Sequence, residues 1–356
     1  MRPYSDVLVI ATRRIGDVLL ATPLIRSVRR AWPAARIDVL VFSGTGGVLK
    51  GNTDVASVIE VAERIPIARH VAFLARLWRR YDLALSLAPG DRPSIYAWAA
   101  GRRRIGLLSP GGKHRWKHAL MSAWAPFDNV NTHTVLMHLA LADLLGIERA
   151  REVVVSWRQE DIASVDRLLE GAGEPLAVFH PWPKFNYKMW RREGWIEIAQ
   201  WLSARGFRVV LSGGPDPEEC GYLDELSRAL PGGTLNLAGK LTLGGVGFLL
   251  SRASLYVGPD TVVTHMAAAL GVPTVALYGP TDPVKWGPWP KDYAVVGNPW
   301  RRLGSQSAGR VRLVQGNAAC APCNKEGCDR HVGSFSDCLQ QLPAERVIAA
   351  IESVIQ

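Results

Sequence analysis

Short apolar runs alternate with amphipathic segments along the first half of the chain. Residues 7–11 form an apolar run that predicts a strand, and the segment after it, to about Trp32, repeats apolar side chains at helical spacing. Further strands are predicted at residues 37–42, 55–61 and 83–87. Strands that alternate with helices predict a doubly wound α/β domain built around a parallel sheet.

The same alternation restarts near residue 175. Predicted strands at residues 176–180, 208–212, 234–236, 254–257 and 274–278 are separated by segments of helical periodicity. The pattern therefore predicts two Rossmann-like domains, residues 1–165 and 166–340, that face each other across a cleft. Residues 341–356 carry apolar side chains on one helical face, and we expect this helix to pack back toward the first domain.

The clearest unit lies within residues 255–288, where a strand, a helix and a second strand form a βαβ crossover. Polar loops follow both strands, and in a parallel sheet such loops lie at the carboxyl edge, where ligands bind. The helix start near Asp260 and Thr261 could seat a phosphate. Asp260 would then need another role, such as holding sugar hydroxyls; a simple helix cap is the alternative.

Composition describes a folded globular protein. The 356 residues are 48% hydrophobic and 21% charged. No apolar run approaches the roughly 18 residues of a membrane-spanning helix. Arg13 and Arg14 interrupt the N-terminal apolar run before a secretory signal could form, so the sequence predicts a cytoplasmic protein.

The net charge of +10 is concentrated in the first half of the chain. Residues 1–150 carry 21 Lys+Arg against 11 Asp+Glu, a difference of +10, whereas the remaining residues carry 21 of each. Basic segments at residues 74–80 and 101–118 are predicted to be helical or loop. The asymmetry points to an anionic partner, which could be nucleic acid, an acidic membrane surface or an acidic substrate. A genomic preference for arginine would explain part of it.

Common phosphate-binding motifs are missing from the sequence. The glycine loop at residues 43–47 lacks the GxGxxG spacing of dinucleotide-binding proteins, and there is neither a Walker A motif nor an Asp-x-Asp pair. A bound phosphate would therefore rely on lysine, arginine and helix N-termini. This argues against a dehydrogenase.

Three segments together resemble glycosyltransferase family 9, the ADP-heptose:lipopolysaccharide heptosyltransferases. They are RIGDVLLATP from Arg14, NYKMW from Asn186, and Asp260–Thr261 with His265, followed by YGPTDP from Tyr278. The resemblance extends over nearly the whole chain. It implies a GT-B fold and inverting transfer of a heptose from ADP-L-glycero-D-manno-heptose to Kdo or heptose in the lipopolysaccharide inner core.

The resemblance also implies roles for individual residues. Asp17, next to Gly16, matches the general base, and Lys188 matches the lysine that stabilises the leaving diphosphate. Asp260 and Thr261 match the sugar and phosphate contacts, with His265 in support, although Val262 and Val263 replace the family's small residues. A helix cap for Asp17 and an ordinary surface position for Lys188 are the alternatives.

Other positions complete the implied donor pocket. Glu218 matches a ribose-binding carboxylate, or is an acid favoured at a helix start. Lys184, with residues 180–183, is expected to line the same pocket as Lys188. Leu241 and Thr242 occupy the segment that would contact the adenine edge.

The acceptor is expected on the basic first domain. Its candidate contacts are Arg102, Arg104, Lys113, Arg115 and Lys117. The carboxylates and phosphates of a lipopolysaccharide core suit this charge, and such an acceptor implies peripheral contact with the cytoplasmic face of the inner membrane. The alternatives are a family member with another nucleotide sugar or glycan acceptor, or a non-catalytic protein that binds an anionic polymer.

Four cysteines near the end of the chain have the spacing C-x2-C-x4-C-x9-C. They could bind zinc or an iron–sulfur centre, form two disulfides, act as a structural clip, or be merely reduced thiols. A cytosolic setting argues against disulfides. No metal is assigned and no cofactor is expected to be required, although Mg²⁺ could assist. The residues are Cys320, Cys323, Cys328 and Cys338.

Overall fold

The computed structural model describes residues 3–111, 115–171, 173 and 175–355. It divides into two compact units, Met1–Val154 and Val155–Gln356. The sequence had put this division near residue 165. It lies earlier because the following helix, Gln159–Leu168, belongs to the second unit, where its Asp161 accepts a hydrogen bond of 2.5 Å from Thr242.

The first unit is a doubly wound α/β domain. Its six-stranded sheet has the order β3-β2-β1-β4-β5-β6, and every neighbouring pair is parallel. The elements are β1 Asp6–Ala11, α1 Ile15–Leu19, α2 Thr22–Ala31, β2 Arg36–Phe42, β3 Ser57–Val61, α3 Ile67–Leu77, β4 Tyr81–Ser86, α4 Asp91–Ala100, β5 Gly101–Leu108, α5 Arg115–Leu120, β6 Ala123–Pro126 and α6 Thr134–Leu145.

Two local predictions for this unit were wrong. The single helix expected up to Trp32 is two helices, α1 and α2. The break is stabilised by the Thr22 hydroxyl, which donates to the carbonyl of Leu19, and Pro23 has no N–H to continue the first helix. Residues 101–108 are not helix or loop, because they pair with β4 and β6 as a strand whose apolar second half is buried. Residues 115–118 of the same predicted segment do lie in a helix, α5.

The second unit is also doubly wound. Its seven-stranded sheet has the order β12-β13-β11-β10-β7-β8-β9, and only β12 is antiparallel to its neighbour. The elements are α7 Gln159–Leu168, β7 Leu176–Phe179, α8 Arg192–Ser203, β8 Arg208–Leu211, α9 Pro217–Ala229, β9 Leu235–Asn236, α10 Leu243–Arg252, β10 Leu255–Pro259, α11 Val262–Leu270, β11 Thr274–Tyr278, α12 Pro283–Trp286, β12 Gln306–Ala308, β13 Val311–Gln315, α13 Asp337–Gln340 and α14 Ala344–Ile355.

The βαβ crossover predicted from the sequence is β10-α11-β11, with β10 parallel to β11. Gly271 ends α11 in the left-handed conformation, at φ 76°, which lets the chain turn into β11. The crossover places the loops after β10 and β11 at the carboxyl edge of the second sheet.

The last helix, α14, lies in the core of the second unit. Val347 and Ile351 are fully buried there, and the helix packs on α8, β11 and β13. The expectation that its apolar face would pack toward the first domain is therefore wrong, because these strands and α8 already bury that face. Within the described residues, no helix is long and apolar enough to cross a membrane.

Candidate active site

A buried ion pair lies at the carboxyl edge of the second sheet. Lys188 ends a short 3-10 turn, residues 186–188, in the loop after β7, and Asp260 directly follows β10. Because β7 and β10 are parallel neighbours, these loops meet at one edge. The Lys188 ammonium donates to Oδ2 of Asp260 at 2.5 Å, and the two side chains are only 18% and 9% exposed. The structure thus joins two residues that lie 72 positions apart in the sequence.

Asp260 is the centre of this cluster. Nε2 of His265 lies 3.7 Å from Oδ1 of Asp260, and the Tyr278 hydroxyl lies 3.4 Å from the same oxygen. Burial alone would raise the pKa of Asp260, but the Lys188 ammonium and the His265 imidazole outweigh burial and hold this pKa well below its usual range. Burial, together with the Asp260 charge, raises the pKa of Tyr278 well above its ordinary value. A permanent carboxylate therefore faces a neutral phenol.

Asp260 is not a helix cap. The N-cap of α11 is Thr261, and its side chain makes no capping hydrogen bond. Val262 and Val263 lie in the first turn of the helix. Their departure from the family's small residues therefore brings no backbone strain, since neither has a positive φ.

His180 is the first residue of the same loop. It follows β7 and is buried, and its Nδ1 lies 3.0 Å from the carbonyl oxygen of Ser212. Burial lowers the pKa of His180 to about 4, so the imidazole is neutral at physiological pH. Lys184 is instead exposed, with its ammonium 5.8 Å from the centre of the Phe185 ring.

The predicted ribose and adenine contacts lie at the starts of two other helices. Glu218 is exposed in the first turn of α9, and its backbone N–H donates to the cap residue Asp216 at 2.9 Å. Thr242 caps α10, since its hydroxyl accepts from the Gly245 N–H at 3.0 Å. The Thr242 hydroxyl therefore has a structural task, since it also donates to Asp161.

Sequence reasoning missed the buried acid of this region, Glu219. Its carboxylate accepts a hydrogen bond of 2.6 Å from the N–H of Gly214. Burial raises the pKa of Glu219. The adjacent Glu218 matches the family position, and the sequence signal for Glu219 is the glycine pair five positions before the two acids.

A second missed feature is the segment behind Lys188, residues 333–342, which we call the C-terminal strap. The Ser336 hydroxyl donates to the carbonyl of Tyr187 at 2.7 Å, and the Gln340 side chain donates to the carbonyl of Met189 at 2.8 Å. The indole N–H of Trp190 donates to the carbonyl of Leu342 at 2.9 Å. The strap therefore holds the loop on both sides of Lys188.

The four clustered cysteines lie in and just before the C-terminal strap. All cysteines are free thiols. Burial, with the nearby thiols of Cys323, Cys320 and Cys328, raises the pKa of Cys338 to about 12. In the described part of the chain, no group of three or more His, Cys, Asp or Glu side chains is placed to hold a metal ion. Gly279, directly after β11, packs closely against the C-terminal strap, since an added Cβ would lie 2.7 Å from the Leu339 side chain.

Asp17 lies in the first unit, just beyond the carboxyl end of β1. It is the third residue of α1, whose N-cap is Arg14, so Asp17 is not the cap. Its carboxylate is 9% exposed and receives the Arg13 guanidinium at 2.7 Å. A Cβ at the neighbouring Gly16 would meet nothing within 4 Å, so there is open space beside the backbone of Gly16.

Two of the predicted acceptor contacts do not reach the edge of the sheet where Asp17 lies. Arg102 and Arg104 are near the start of β5, and Arg104 is in register with Ala84, which is in register with Leu8 near the start of β1. Since parallel strands run in one direction, these arginines lie toward the opposite edge from Asp17. The structure therefore places these two arginines away from Asp17, because the basic stretch begins a strand instead of following one.

The remaining predicted acceptor contacts follow β5. Lys117 on α5 is buried, and its ammonium donates to the carbonyl of Pro89 at 2.8 Å and pairs with Asp91 at 2.6 Å. It therefore ties α5 to the start of α4. Arg115 is exposed on the same helix, and Lys113 lies outside the described residues.

Comparison with known proteins decides the family. The model of glycosyltransferase family 9 (heptosyltransferase) matches residues 72–311. The chain belongs to this family. It is a glycosyltransferase, and the Lys188–Asp260 cluster lies within the matched region.

Similar proteins extend the match over the whole chain. The chain is 27% identical over 352 residues to lipopolysaccharide heptosyltransferase 3 of Escherichia coli (strain K12), covering 96% of this chain and 95% of that protein. The family 9 glycosyl transferase of Veillonella parvula DSM 2008 aligns with a TM-score of 0.79 at 20% identity, covering 99% and 97%. An E. coli heptosyltransferase (WaaC) with ADP-2-deoxy-2-fluoro heptose aligns with a TM-score of 0.70 at 23% identity, covering 98% and 99%. The shared architecture confirms the predicted GT-B class.

Proposed function

We propose that this protein transfers a heptose, with inversion, from ADP-L-glycero-D-manno-heptose to Kdo or heptose in the inner core of lipopolysaccharide. The observation that carries the proposal is the buried Lys188–Asp260 pair at the carboxyl edge of the second sheet. The named heptosyltransferases among its relatives support the donor and the acceptor.

Lys188 has the chemistry needed for the leaving group. As the glycosidic bond breaks, negative charge grows on the diphosphate, and a fixed ammonium stabilises that charge more in the transition state than in the ground state. The ammonium donates to Oδ2 of Asp260 at 2.5 Å and, at 3.4 Å, to the backbone carbonyl of Asp260. Its third hydrogen is directed to a phosphate oxygen in the proposal.

In this proposal Asp260 binds the sugar of the donor. A permanently ionised carboxylate accepts hydrogen bonds from sugar hydroxyls, and His265 and Tyr278 fix its orientation from the opposite oxygen. The exposed Glu218 accepts the ribose hydroxyls, and Thr261 contacts the phosphate beside the helix start. Lys184 is the outer cation of this pocket, and Leu241 and Thr242 offer backbone groups to the adenine.

Asp17 is the proposed general base. A carboxylate that takes the proton of the acceptor hydroxyl as the new C1–O bond forms is what inversion requires. Asp17 follows Gly16, whose Cβ position faces open space, and its ion-pair partner Arg13 is partly exposed. The reaction needs no cofactor in this proposal, and the effect of Mg²⁺ is tested by comparing rates with Mg²⁺ and with EDTA.

The acceptor explains the basic first domain. An inner core rich in carboxylates and phosphates is drawn to the +10 charge of residues 1–150, with Arg115 and Lys113 as the proposed contacts. Because this acceptor is anchored in lipid, the protein is proposed to work in the cytoplasm at the membrane surface. Transfer of another nucleotide sugar, or to another glycan, is the second candidate.

The test is a transfer assay with purified protein, ADP-heptose and lipopolysaccharides truncated at defined core positions. We expect one truncated core to be extended and the new linkage to have the inverted anomeric configuration by NMR. Lys188→Ala should abolish most transfer, whereas Lys240→Ala, an exposed lysine of the same unit, should not. Product from another nucleotide sugar but not from ADP-heptose would favour the second candidate, and undiminished transfer by Lys188→Ala would refute the site.

A further inference from the structure

Helix α3 of the first unit has apolar side chains on its exposed face as well as on the face that packs into the core. His70, Phe73, Leu74 and Leu77 face α4 and the sheet, at the spacing of one helical stripe. A second stripe, which we call the α3 stripe, is directed to solvent and consists of Ile67, Val71, Ala75 and Trp78. Ile67 is 83% exposed, Val71 60% and Trp78 52%. An exposed apolar stripe of this kind is a mark of an interaction surface.

Aromatic rings extend the α3 stripe onto the neighbouring helix. Trp78 packs edge-on against Trp98 of α4, with ring centres 5.2 Å apart, and Trp98 is itself 36% exposed. The guanidinium of Arg79 lies 5.6 Å from the centre of the Trp78 ring. Tryptophan beside arginine is typical of the water–lipid boundary, where an amphipathic ring has an apolar body and a polar edge.

The charges around the α3 stripe are almost all positive. Residues 62–80 hold Arg64, Arg69, Arg76, Arg79 and Arg80 against a single acid, Glu63. All five arginines are exposed, and α3 itself contains no acidic residue. Arg69 and Arg76 are two turns apart and form a basic edge of the exposed face of α3, where the small exposed side chains of Ala68 and Ala72 lie between them and the α3 stripe. An apolar strip with a basic edge is complementary to an anionic lipid surface.

We propose that the α3 stripe is the surface by which this protein docks on an anionic phospholipid bilayer, with Ile67, Val71 and Trp78 entering the headgroup boundary and the surrounding arginines contacting lipid phosphates. The stripe lies on an amphipathic helix that does not span the bilayer, so binding is peripheral and reversible. The proposal rests on the proposed function only in expecting a lipid-anchored acceptor, and its test needs no nucleotide sugar.

The experiment is flotation of the full chain with vesicles of phosphatidylethanolamine and phosphatidylglycerol, compared with vesicles of phosphatidylcholine alone. We expect binding to the anionic vesicles that weakens as salt is raised. The double variant Ile67→Ser/Val71→Ser should lower the partition coefficient at least about tenfold, because it removes apolar area that would leave water. Arg69→Gln/Arg76→Gln should lower it by a similar factor on anionic vesicles and hardly change it on neutral ones.

The matched control is Val296→Ser/Leu303→Ser, which removes apolar side chains that are 86% and 67% exposed in the second unit. This variant should float like the unmodified protein. Equal flotation of the control and the Ile67→Ser/Val71→Ser variant would overturn the proposal. So would a light-scattering mass showing that the stripe joins two copies of the chain and that the same variant separates them.

Transfer to a lipid-free acceptor fragment keeps this inference separate from the proposed function. The Ile67→Ser/Val71→Ser variant should transfer to that fragment at the unmodified rate while losing transfer to acceptor embedded in vesicles. Vesicle binding by a protein that transfers no heptose would refute the proposed function and leave the α3 stripe in place. Transfer of heptose without vesicle binding would refute the role of the α3 stripe and leave the proposed function in place.

Discussion

Asp17 and Asp260 occupy similar positions in the two units but are held in different ways. Each follows the carboxyl end of a strand, and each is 9% exposed and ion-paired. Asp17 forms an ion pair with Arg13, four residues earlier and 32% exposed. The partner of Asp260 is Lys188, 72 residues away and 18% exposed, with His265 and Tyr278 on the other oxygen.

The difference separates a carboxylate that can exchange its partner from one that cannot. A local, partly exposed pair contributes little stability and is easily rearranged, as a general base requires. A buried network fixes the charge and the orientation, as a binding group requires. Two acids of one chain thereby suit two tasks.

Asp17→Asn gives the largest expected effect. Removal of a general base should lower turnover by about 10²–10⁴-fold. The binding of ADP, measured by calorimetry, should be unchanged, because the nucleotide-sugar contacts are proposed for the other unit. Unaltered turnover would assign the base to another residue and would end the functional contrast between the two acids.

Breaking each ion pair compares the two carboxylates by stability. Lys188→Ala removes the main partner of a buried carboxylate and should cost about 3 kcal/mol in the free energy of unfolding, whereas Arg13→Ala should cost less, because the Arg13 side chain is 32% exposed and water screens its pair. Denaturant unfolding of both variants measures this directly.

The double variant Lys188→Ala/Asp260→Asn is the control for this measurement. It removes the unpaired charge and should regain part of the lost stability without regaining transfer. Equal losses for Lys188→Ala and Arg13→Ala would show that the two pairs are held alike.

Burial of His180 should make the free energy of unfolding depend on pH. Its pKa in the folded protein is about 4, below the roughly 6.5 of an unfolded chain. As the pH falls from about 6.5 to 4, the unfolded chain binds a proton that the folded chain refuses, so the free energy of unfolding should decrease by on the order of 3 kcal/mol. His180→Asn should reduce this slope when unfolding is measured at several pH values. A slope identical to that of the unmodified protein would mean that His180 is protonated in the fold.

Ser336→Ala gives the smallest expected effect. It removes the hydrogen bond from the C-terminal strap to the carbonyl of Tyr187, next to Lys188, and should raise the KM for the nucleotide sugar several-fold with less change in kcat. Ser336→Thr should keep the bond and the KM. Ser353→Ala, an exposed serine on α14, is the control. A fall in kcat alone would separate the strap from donor binding.

The sequence could predict that Lys188 and Asp260 lie at the same edge of the second sheet, but not that they touch, because their contact depends on β7 and β10 being neighbours. Apolar runs marked β7 and β10, and the rule for parallel strands brings the loops after them to one edge. The crossover from β10 to β11 was predicted because strand, helix and turn residues follow one another within a short segment.

The misplaced elements share a different cause. The strand β5, GRRRIGLL, was not recognised because three arginines dominate its first half. Only its second half, Ile105–Leu108, is a continuous run of buried residues. The position of Arg104 then follows from strand register, which no single-sequence pattern contains. The C-terminal strap was also invisible, since Ser336 and Gln340 bind backbone carbonyls that every residue has.

The distance along the chain between the Lys188 loop and the strap, about 150 residues, has a consequence for biosynthesis. A ribosome makes the loop long before it makes Ser336, Gln340 and Leu342. Domains fold in order of synthesis, so the first unit can complete its sheet while the lysine is still without its support. A nascent chain stopped before the strap would carry every proposed catalytic side chain and still lack a rigid place to hold the nucleotide.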